Sequence, residues 1–291
     1  MISGRTDIVA YYTPWLINRF KTGFVDVRNP INPKMVNRIY FKDVDIIIFC
    51  TKNPIPIIPY LKDIKIPILF HVTLTGYHDD VEVNIKDKLK IVKAIKEVSE
   101  IVGVDNVYVR YDPILINKKY TKEYHVKAFS KINTLLKGYV KKYIISFIDD
   151  YKNVRRHARE LELQEITKED IKYIAENFSK IARSSNSTVQ TCAEEDLTKY
   201  GFVKDDCITL KEAYRLTGKL RYKMQKIRKN TNCHCLETVD IGAYNTCLNI
   251  CKYCYANYNE DLIVKNTKNH DPSSSLLIGQ LAKDDIIKVR K

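Results

Sequence analysis

The fold of this chain is decided by residues 45–77, DIIIFCTKNPIPIIPYLKDIKIPILFHVTLTGY. Two runs of apolar and β-branched residues, 45–50 and 67–73, stand in this stretch, and each run ends in a polar cluster. Runs that are apolar almost throughout are typical of strands covered on both faces, as in a parallel sheet. The stretch therefore predicts two successive βα units of an α/β fold.

The same unit recurs along the chain. Further candidate strands are 24–28, 106–111, 143–148 and 187–191, with very short ones at 1–3 and 239–243. Amphipathic segments that predict helices are 86–101, 121–139 and 167–183, of which the last begins with a Thr-Lys-Glu-Asp capping pattern. A count of about eight strands is what a closed (β/α) barrel needs. We therefore expect a TIM-type (β/α) barrel, complete or partial, with an open doubly wound sheet as the alternative.

Composition and charge limit the possible classes of protein. The 291 residues are 45% hydrophobic and 29% charged, which is typical of a globular chain, here one domain over 1–258 with a loosely held extension at 259–291. The longest clean apolar run, 46–50, is too short to cross a bilayer, so no membrane association is expected. Arg5 and Asp7 stand where a secretory signal needs apolar residues, so we expect a cytoplasmic protein. The net charge of +14 favours anionic partners.

Polar clusters follow the predicted strands, among them RNPINP at 28–33, RYDP at 110–113 and TCAEE at 191–195. In a parallel barrel these segments meet at the carboxyl-end rim, where active sites lie. Turns and helix caps explain any single cluster. Several arginines together with acids instead indicate a polar, ligand-binding mouth, and arginine favours anionic substrate groups. The candidates are Arg5, Asp7, Arg28, Arg110, Asp112, Glu194 and Glu195.

The cysteines indicate a metal centre. Thiols stay reduced in the cytoplasm, so eight cysteines there favour metal binding over disulfides. Cys50 ends an apolar run and is interpreted as a small buried hydrophobe. Zinc needs four ligands, which Cys251 and Cys254 would share with Cys233 and Cys235, whereas three thiolates suit a [4Fe–4S] cluster with one free iron. The three are Cys247, Cys251 and Cys254 in CLNICKYC, and Cys192, Cys207, Cys233 and Cys235 are candidates for an auxiliary cluster or zinc, or are singly buried thiols.

The loop at 244–258 resembles the Cys-x3-Cys-x2-Cys signature of radical S-adenosylmethionine (SAM) enzymes, in the version found in spore photoproduct lyase and its relatives. The resemblance implies a [4Fe–4S] cluster on Cys247, Cys251 and Cys254. SAM would chelate the open iron, and an external electron donor would drive its cleavage to a 5′-deoxyadenosyl radical. It also implies that Tyr253 lies near the adenine. Because the loop comes late in the chain, the barrel would be circularly permuted relative to standard radical SAM barrels.

Short boxes such as RTD, VRNP, TKNP, TLTGY, RYDP and TCAEE recur in this order in the DUF1848 family, which the chain resembles over about residues 1–258. We therefore expect an iron–sulfur enzyme of radical SAM type with an unidentified substrate. The candidate catalytic residues are Arg5, Asp7, Arg110, Asp112 and Glu194, and the candidate cofactor contacts are Tyr253, Asn245, Thr246 and Arg28.

Two other functions stay open. The alternative is a zinc-stabilised nucleic-acid-binding protein that uses the basic segment 211–229. The favoured interpretation of that segment by itself is a solvated helix face. A radical enzyme acting on nucleic acid would combine both features. A metal-dependent hydrolase is disfavoured because histidine is scarce and no paired-His motif is present.

Overall fold

The computed structural model describes residues 1–223 and 233–290. The strands are β1 Phe24–Arg28, β2 Met35–Tyr40, β3 Ile47–Thr51, β4 Ile68–Thr73, β5 Val107–Ile114, β6 Lys142–Phe147, β7 Thr188–Thr191 and β8 Ile286–Val289. The helices are α1 Ile8–Tyr11, α2 Thr13–Thr22, α3 Lys88–Val102, α4 Lys122–Leu135, α5 Lys152–His157, α6 Lys168–Arg183, α7 Leu210–Thr217 and α8 Glu260–Lys268. No helix in this part of the chain has the length and apolar character to span a membrane.

The centre of the fold is a five-stranded sheet in the order β3–β4–β5–β6–β7, with every neighbouring pair parallel. Helices cover one of its faces. Phe129 of α4 stacks on Phe178 of α6 with 4.0 Å between ring centroids, and Tyr143 of β6 meets Phe129 at 5.0 Å. The predictions of an α/β fold, of these five strands and of helices α3, α4 and α6 are thus confirmed, as is the capping box at Thr167.

The described residues do not close this sheet into a barrel, so the expectation of a complete TIM-type barrel is wrong. The reason lies at the sheet edges, where the predicted strands at 1–3 and 239–243 form only single parallel bridges. Ile2 bridges Ile48 of β3 on one side and Asp240 on the other. At the opposite edge, Val203 bridges Gln190 of β7.

Strand β1 forms where it was expected but belongs to a second sheet. It pairs antiparallel with β2, which in turn pairs parallel with β8. Assigning residues 24–28 to the barrel was therefore wrong. The connection between β1 and β2, residues 29–34, is too short for a parallel crossover and permits only a hairpin.

The C-terminal segment is packed against the body rather than loosely held. Leu276 and Leu277 are buried, and the backbone oxygen of Ser274 accepts a 2.9 Å hydrogen bond from the Trp15 indole. Strand β8 completes the second sheet. The domain boundary near residue 258 stays a prediction.

Burial of His125 predicts a stability that depends on pH. Its ring nitrogens contact the Tyr111 hydroxyl at 2.9 Å and the Leu115 carbonyl at 2.8 Å, and burial lowers the pKa of His125 to about 4. An unfolded histidine titrates near 6.5, so the unfolded chain binds more protons between these values. We expect the free energy of unfolding to lose up to about 3 kcal/mol from this group as the pH falls from 6.5 to 4. Urea denaturation at several pH values measures this loss, and His125→Gln should reduce the slope. An identical slope in the variant would contradict the assignment.

Candidate functional site

A cavity of about 460 Å³ lies against the face of the parallel sheet opposite its largest core cluster. The strands supply its lining with alternate residues, because successive side chains point to opposite faces. Cys50, His71 and Arg110 line the cavity, whereas their neighbours Phe49 and Phe70 belong to the helix-covered core. One face of the sheet thus carries the largest apolar core, and the other carries a smaller apolar cluster and the cavity.

Four of the predicted mouth residues meet in this cavity: Arg5, Asp7, Arg110 and Asp112. The Arg110 guanidinium donates to one Asp112 carboxylate oxygen at 2.9 and 2.5 Å. Arg5 forms an ion pair with Asp240 at 3.3 Å. The prediction that arginines and acids from different strand ends converge therefore describes these side chains correctly.

Asp7 has a structural task in addition to its place in the cavity. Its carboxylate accepts hydrogen bonds from the backbone of Ala10 at 3.0 Å and of Lys52 at 2.7 Å, and from the Asn249 side chain at 3.0 Å. These bonds cap α1 and tie the ends of β3 and of the cysteine loop together. Burial nevertheless raises the pKa of Asp7.

The other mouth candidates lie elsewhere. Arg28 lies on the second sheet and forms a two-pronged pair with Asp285 at 2.6 and 2.7 Å, apart from the cavity-lining residues. Glu194 follows β7 and accepts from the Phe147 backbone at 2.8 Å, and burial raises the pKa of Glu194 to about 7. Neither Glu194 nor Glu195 is among the described residues that line the cavity.

The three cysteines of the 247–254 loop all line the cavity, together with Tyr253. Asn257 brackets the loop at its start, because its amide group donates to the Cys247 carbonyl at 2.5 Å and accepts from the Cys247 N–H at 3.4 Å. An antiparallel bridge between Glu82 and Cys251 fixes the middle of the loop. The loop therefore has a fixed backbone.

Asn245 and Thr246 hold the loop's entry rather than line the cavity. Asn245 has a φ of 53° and accepts from the backbone of Tyr258 at 2.8 Å and of Asn259 at 3.1 Å. Asparagine tolerates this left-handed conformation better than most residues. Thr246 is fully buried and contacts the Thr6 hydroxyl. The two residues hold the start of the loop in place, and a contact between them and a cofactor stays a prediction.

The family model described as "Domain of unknown function (DUF1848)" matches residues 1–256. The chain belongs to the DUF1848 family. The matched region contains every cysteine of the chain and the four mouth residues of the cavity. Neither the curated proteins nor the solved structures contain a match to the chain.

A buried network beside the cysteine loop of this DUF1848 protein was missed by sequence reasoning. The Glu82 carboxylate accepts from Lys52 Nζ at 2.8 Å, from Lys88 Nζ at 2.6 Å and from the Thr75 hydroxyl at 2.8 Å, and it also accepts from the Tyr253 hydroxyl. Burial alone would raise the pKa of Glu82, but the two ammonium groups outweigh it and bring that pKa to about 2. The Lys52 and Lys88 ammonium groups therefore share one buried carboxylate next to the loop.

The charges around the loop act differently on its three thiols, because the Lys52 ammonium lowers the pKa of Cys251 and Cys254 whereas the Asp7 carboxylate raises that of Cys247. Burial raises the pKa of all three thiols, that of Cys247 to about 12, so only a bound cation would keep them ionised at neutral pH. All eight cysteines are free. Over residues 1–223 and 233–290, no group of three or more His, Cys, Asp or Glu side chains forms a ligand set for one metal ion. In a cubane cluster, by contrast, each thiolate binds a different iron atom.

Proposed function

We propose that this DUF1848 protein is an iron–sulfur enzyme of radical SAM type, in which Cys247, Cys251 and Cys254 hold a [4Fe–4S] cluster. The observation that carries the proposal is the placement of these three thiols in one cavity with Arg5, Asp7, Arg110 and Asp112. A three-thiolate cluster leaves one iron open for SAM. When reduced by an external donor, the cluster supplies the electron that cleaves the sulfonium of SAM.

The chain's own residues would bind and orient SAM and the substrate. Tyr253 lines the cavity and its hydroxyl is fixed by Glu82, and we assign its ring to the contact with the adenine. Arg110 already donates to Asp112 and to Cys207, so what the Arg110–Asp112 pair adds for a ligand is the second carboxylate oxygen of Asp112, which can accept from a cationic group. The Asp7 carboxylate caps α1 and accepts a hydrogen bond from Asn249 of the cysteine loop, so it holds these parts of the site together.

The fold supports the proposal if the sheet is read as a partial, permuted barrel. Parallel bridges join Asp240 to Ile2, and Ile2 to Ile48 of β3. These bridges extend the sheet by the segment that leads into the cysteine loop. In space this segment thus precedes β3, although it comes last in the sequence. Such an order is what circular permutation of a radical SAM barrel would produce.

The zinc-stabilised nucleic-acid-binding alternative draws less support from the described residues. Residues 224–229 of the basic segment lie outside them. In the described part, Arg215 pairs with Glu212 at 2.8 Å, while Lys219 and Arg221 lie 2.5 and 3.6 Å from the Asp45 carboxylate. Cations already paired within the protein contribute less to phosphate binding.

The proposal is tested by anaerobic purification of the full chain, followed by counts of iron, acid-labile sulfide and zinc. We then expect SAM and dithionite to yield 5′-deoxyadenosine. Zinc in place of iron, or an iron-loaded protein that releases no 5′-deoxyadenosine, would overturn the proposal.

Two variants of Tyr253 distinguish the contribution of ring stacking to SAM binding from the contribution of the hydroxyl group. We expect Tyr253→Ala to weaken SAM binding about 10- to 100-fold, since stacking on a base contributes roughly 1–3 kcal/mol, and Tyr253→Phe to retain most of the affinity. Equilibrium dialysis of labelled SAM against the iron-loaded protein measures both. The control is Tyr258→Ala, which removes a half-exposed tyrosine outside the cavity lining. Unchanged affinity in Tyr253→Ala would refute the contact.

A further inference from the structure

Four cysteines outside the 247–254 loop also meet in the cavity: Cys192, Cys207, Cys233 and Cys235. Their side chains pack in one place: Cys207 and Cys235 are buried in the same group of side chains, and Cys192 and Cys233 pack against it. Thiols from three separate segments of the chain therefore form one group of four.

Backbone hydrogen bonds place these segments beside one another. Cys192 extends β7, because its N–H donates to the Ile145 carbonyl of β6 at 2.8 Å. The N–H of Leu236 donates to the Ile208 carbonyl at 3.0 Å, which aligns the Cys235 segment with the Cys207 segment. The scaffold, and not one loop, thus brings the four thiols together.

The surroundings of the four thiols are those of a ligand site. The Arg110 guanidinium donates to Cys207 Sγ at 3.4 Å, so a cation lies against the thiols. His71 lines the same cavity at 2% exposure, and its Nε2 has no hydrogen-bond partner among the described residues. A buried polar atom of this kind needs a partner, such as a water molecule, an ion or a bound ligand. Packing as a small hydrophobe explains one buried cysteine, but not four that meet beside an arginine.

We propose that Cys192, Cys207, Cys233 and Cys235 bind a second iron–sulfur cluster. Four thiolates are the full ligand set of a closed cluster, in which each binds an iron of the cluster core. Among the described residues the four sulfurs do not form a ligand set for one metal ion, which zinc would need, whereas in a cluster each thiolate binds a different iron atom. Arg110 offsets part of the negative charge of such a cluster through its bond to Cys207. The site uses its own ligands and does not depend on the cluster of the 247–254 loop.

The test removes each set of ligands separately in the full chain, purified without oxygen and loaded with iron and sulfide. The first variant is C247A/C251A/C254A, and the second is C192A/C233A, which spares the two more deeply buried cysteines, Cys207 and Cys235. Two four-iron clusters give about eight iron atoms per wild-type chain, and each variant should keep about four. The control is C50A, which removes a cysteine that lines the same cavity and should keep about eight.

The outcomes separate this proposal from the proposed function. A C247A/C251A/C254A protein without iron, beside a wild type with about four atoms per chain, would refute the second cluster and leave the first in place. Zinc bound to that variant would refute the cluster as well. A wild type without any iron would overturn both. Should C192A/C233A fail to fold by circular dichroism, C233S replaces it, because Cys233 is only half-buried, and loss of about four iron atoms is again expected.

Discussion

Replacing Cys251 with Ala is expected to lower 5′-deoxyadenosine release to the level of the protein-free blank. The side chain is buried, lines the cavity and is the middle one of three predicted ligands, so its loss leaves a cluster with two thiolates. Iron should fall by about four atoms per chain. Metal analysis, together with chromatography of the reaction with SAM and dithionite, measures both effects.

Cys50→Ala is the matched control for this variant, because Cys50 lines the same cavity and belongs to neither proposed ligand set. It should retain iron and 5′-deoxyadenosine release. Each change removes only one sulfur atom, so the stability cost should be similar, about 1 kcal/mol. If Cys251→Ala kept full iron content and release, the loop could not be the cluster site.

The parallel strands were predictable because each is encoded locally. A run such as 45–50 is β-branched and apolar at nearly every position, and burial on both faces requires that pattern. Helix α6 carries its own start signal, the capping box at Thr167. Such features need no knowledge of the rest of the chain.

The pairing of strands was less predictable, because it depends on partners distant in sequence. Residues 24–28 have the composition of a barrel strand, yet the short connection to β2 makes them a hairpin. Whether the segments at 1–3 and 239–243 form full strands or single bridges depends on the edges of the sheet. No local sequence pattern predicts where the sheet ends.

The residues of the candidate site were also predictable only in part. The loop cysteines were found from their spacing, and Arg110 with Asp112 from their position after a strand. Glu82 follows no motif, and only the tertiary structure surrounds it with two lysines. Lys52 stands in the TKNP cluster after β3, which was the one available signal.

Replacing Glu82 with Gln is expected to lower the free energy of unfolding by about 3 to 5 kcal/mol at neutral pH. The change keeps the size of the side chain but leaves the Lys52 and Lys88 ammonium groups, both largely buried, without a counterion. Urea denaturation of the wild type and the variant measures the difference. A loss below about 1 kcal/mol, within the range of an ordinary hydrogen bond, would show that the network is not held by charge.

Two further variants isolate the cause. Glu100→Gln makes the same chemical change on the exposed side of α3 and should shift the free energy of unfolding by no more than about 0.5 kcal/mol. The double variant Glu82→Gln/Lys52→Met removes one uncompensated cation and should recover part of the loss, since breaking a buried pair costs more than replacing it with apolar groups. A double variant less stable than Glu82→Gln alone would mean that Lys52 stabilises the protein through other contacts, such as its position 5.4 Å from the centre of the Tyr253 ring.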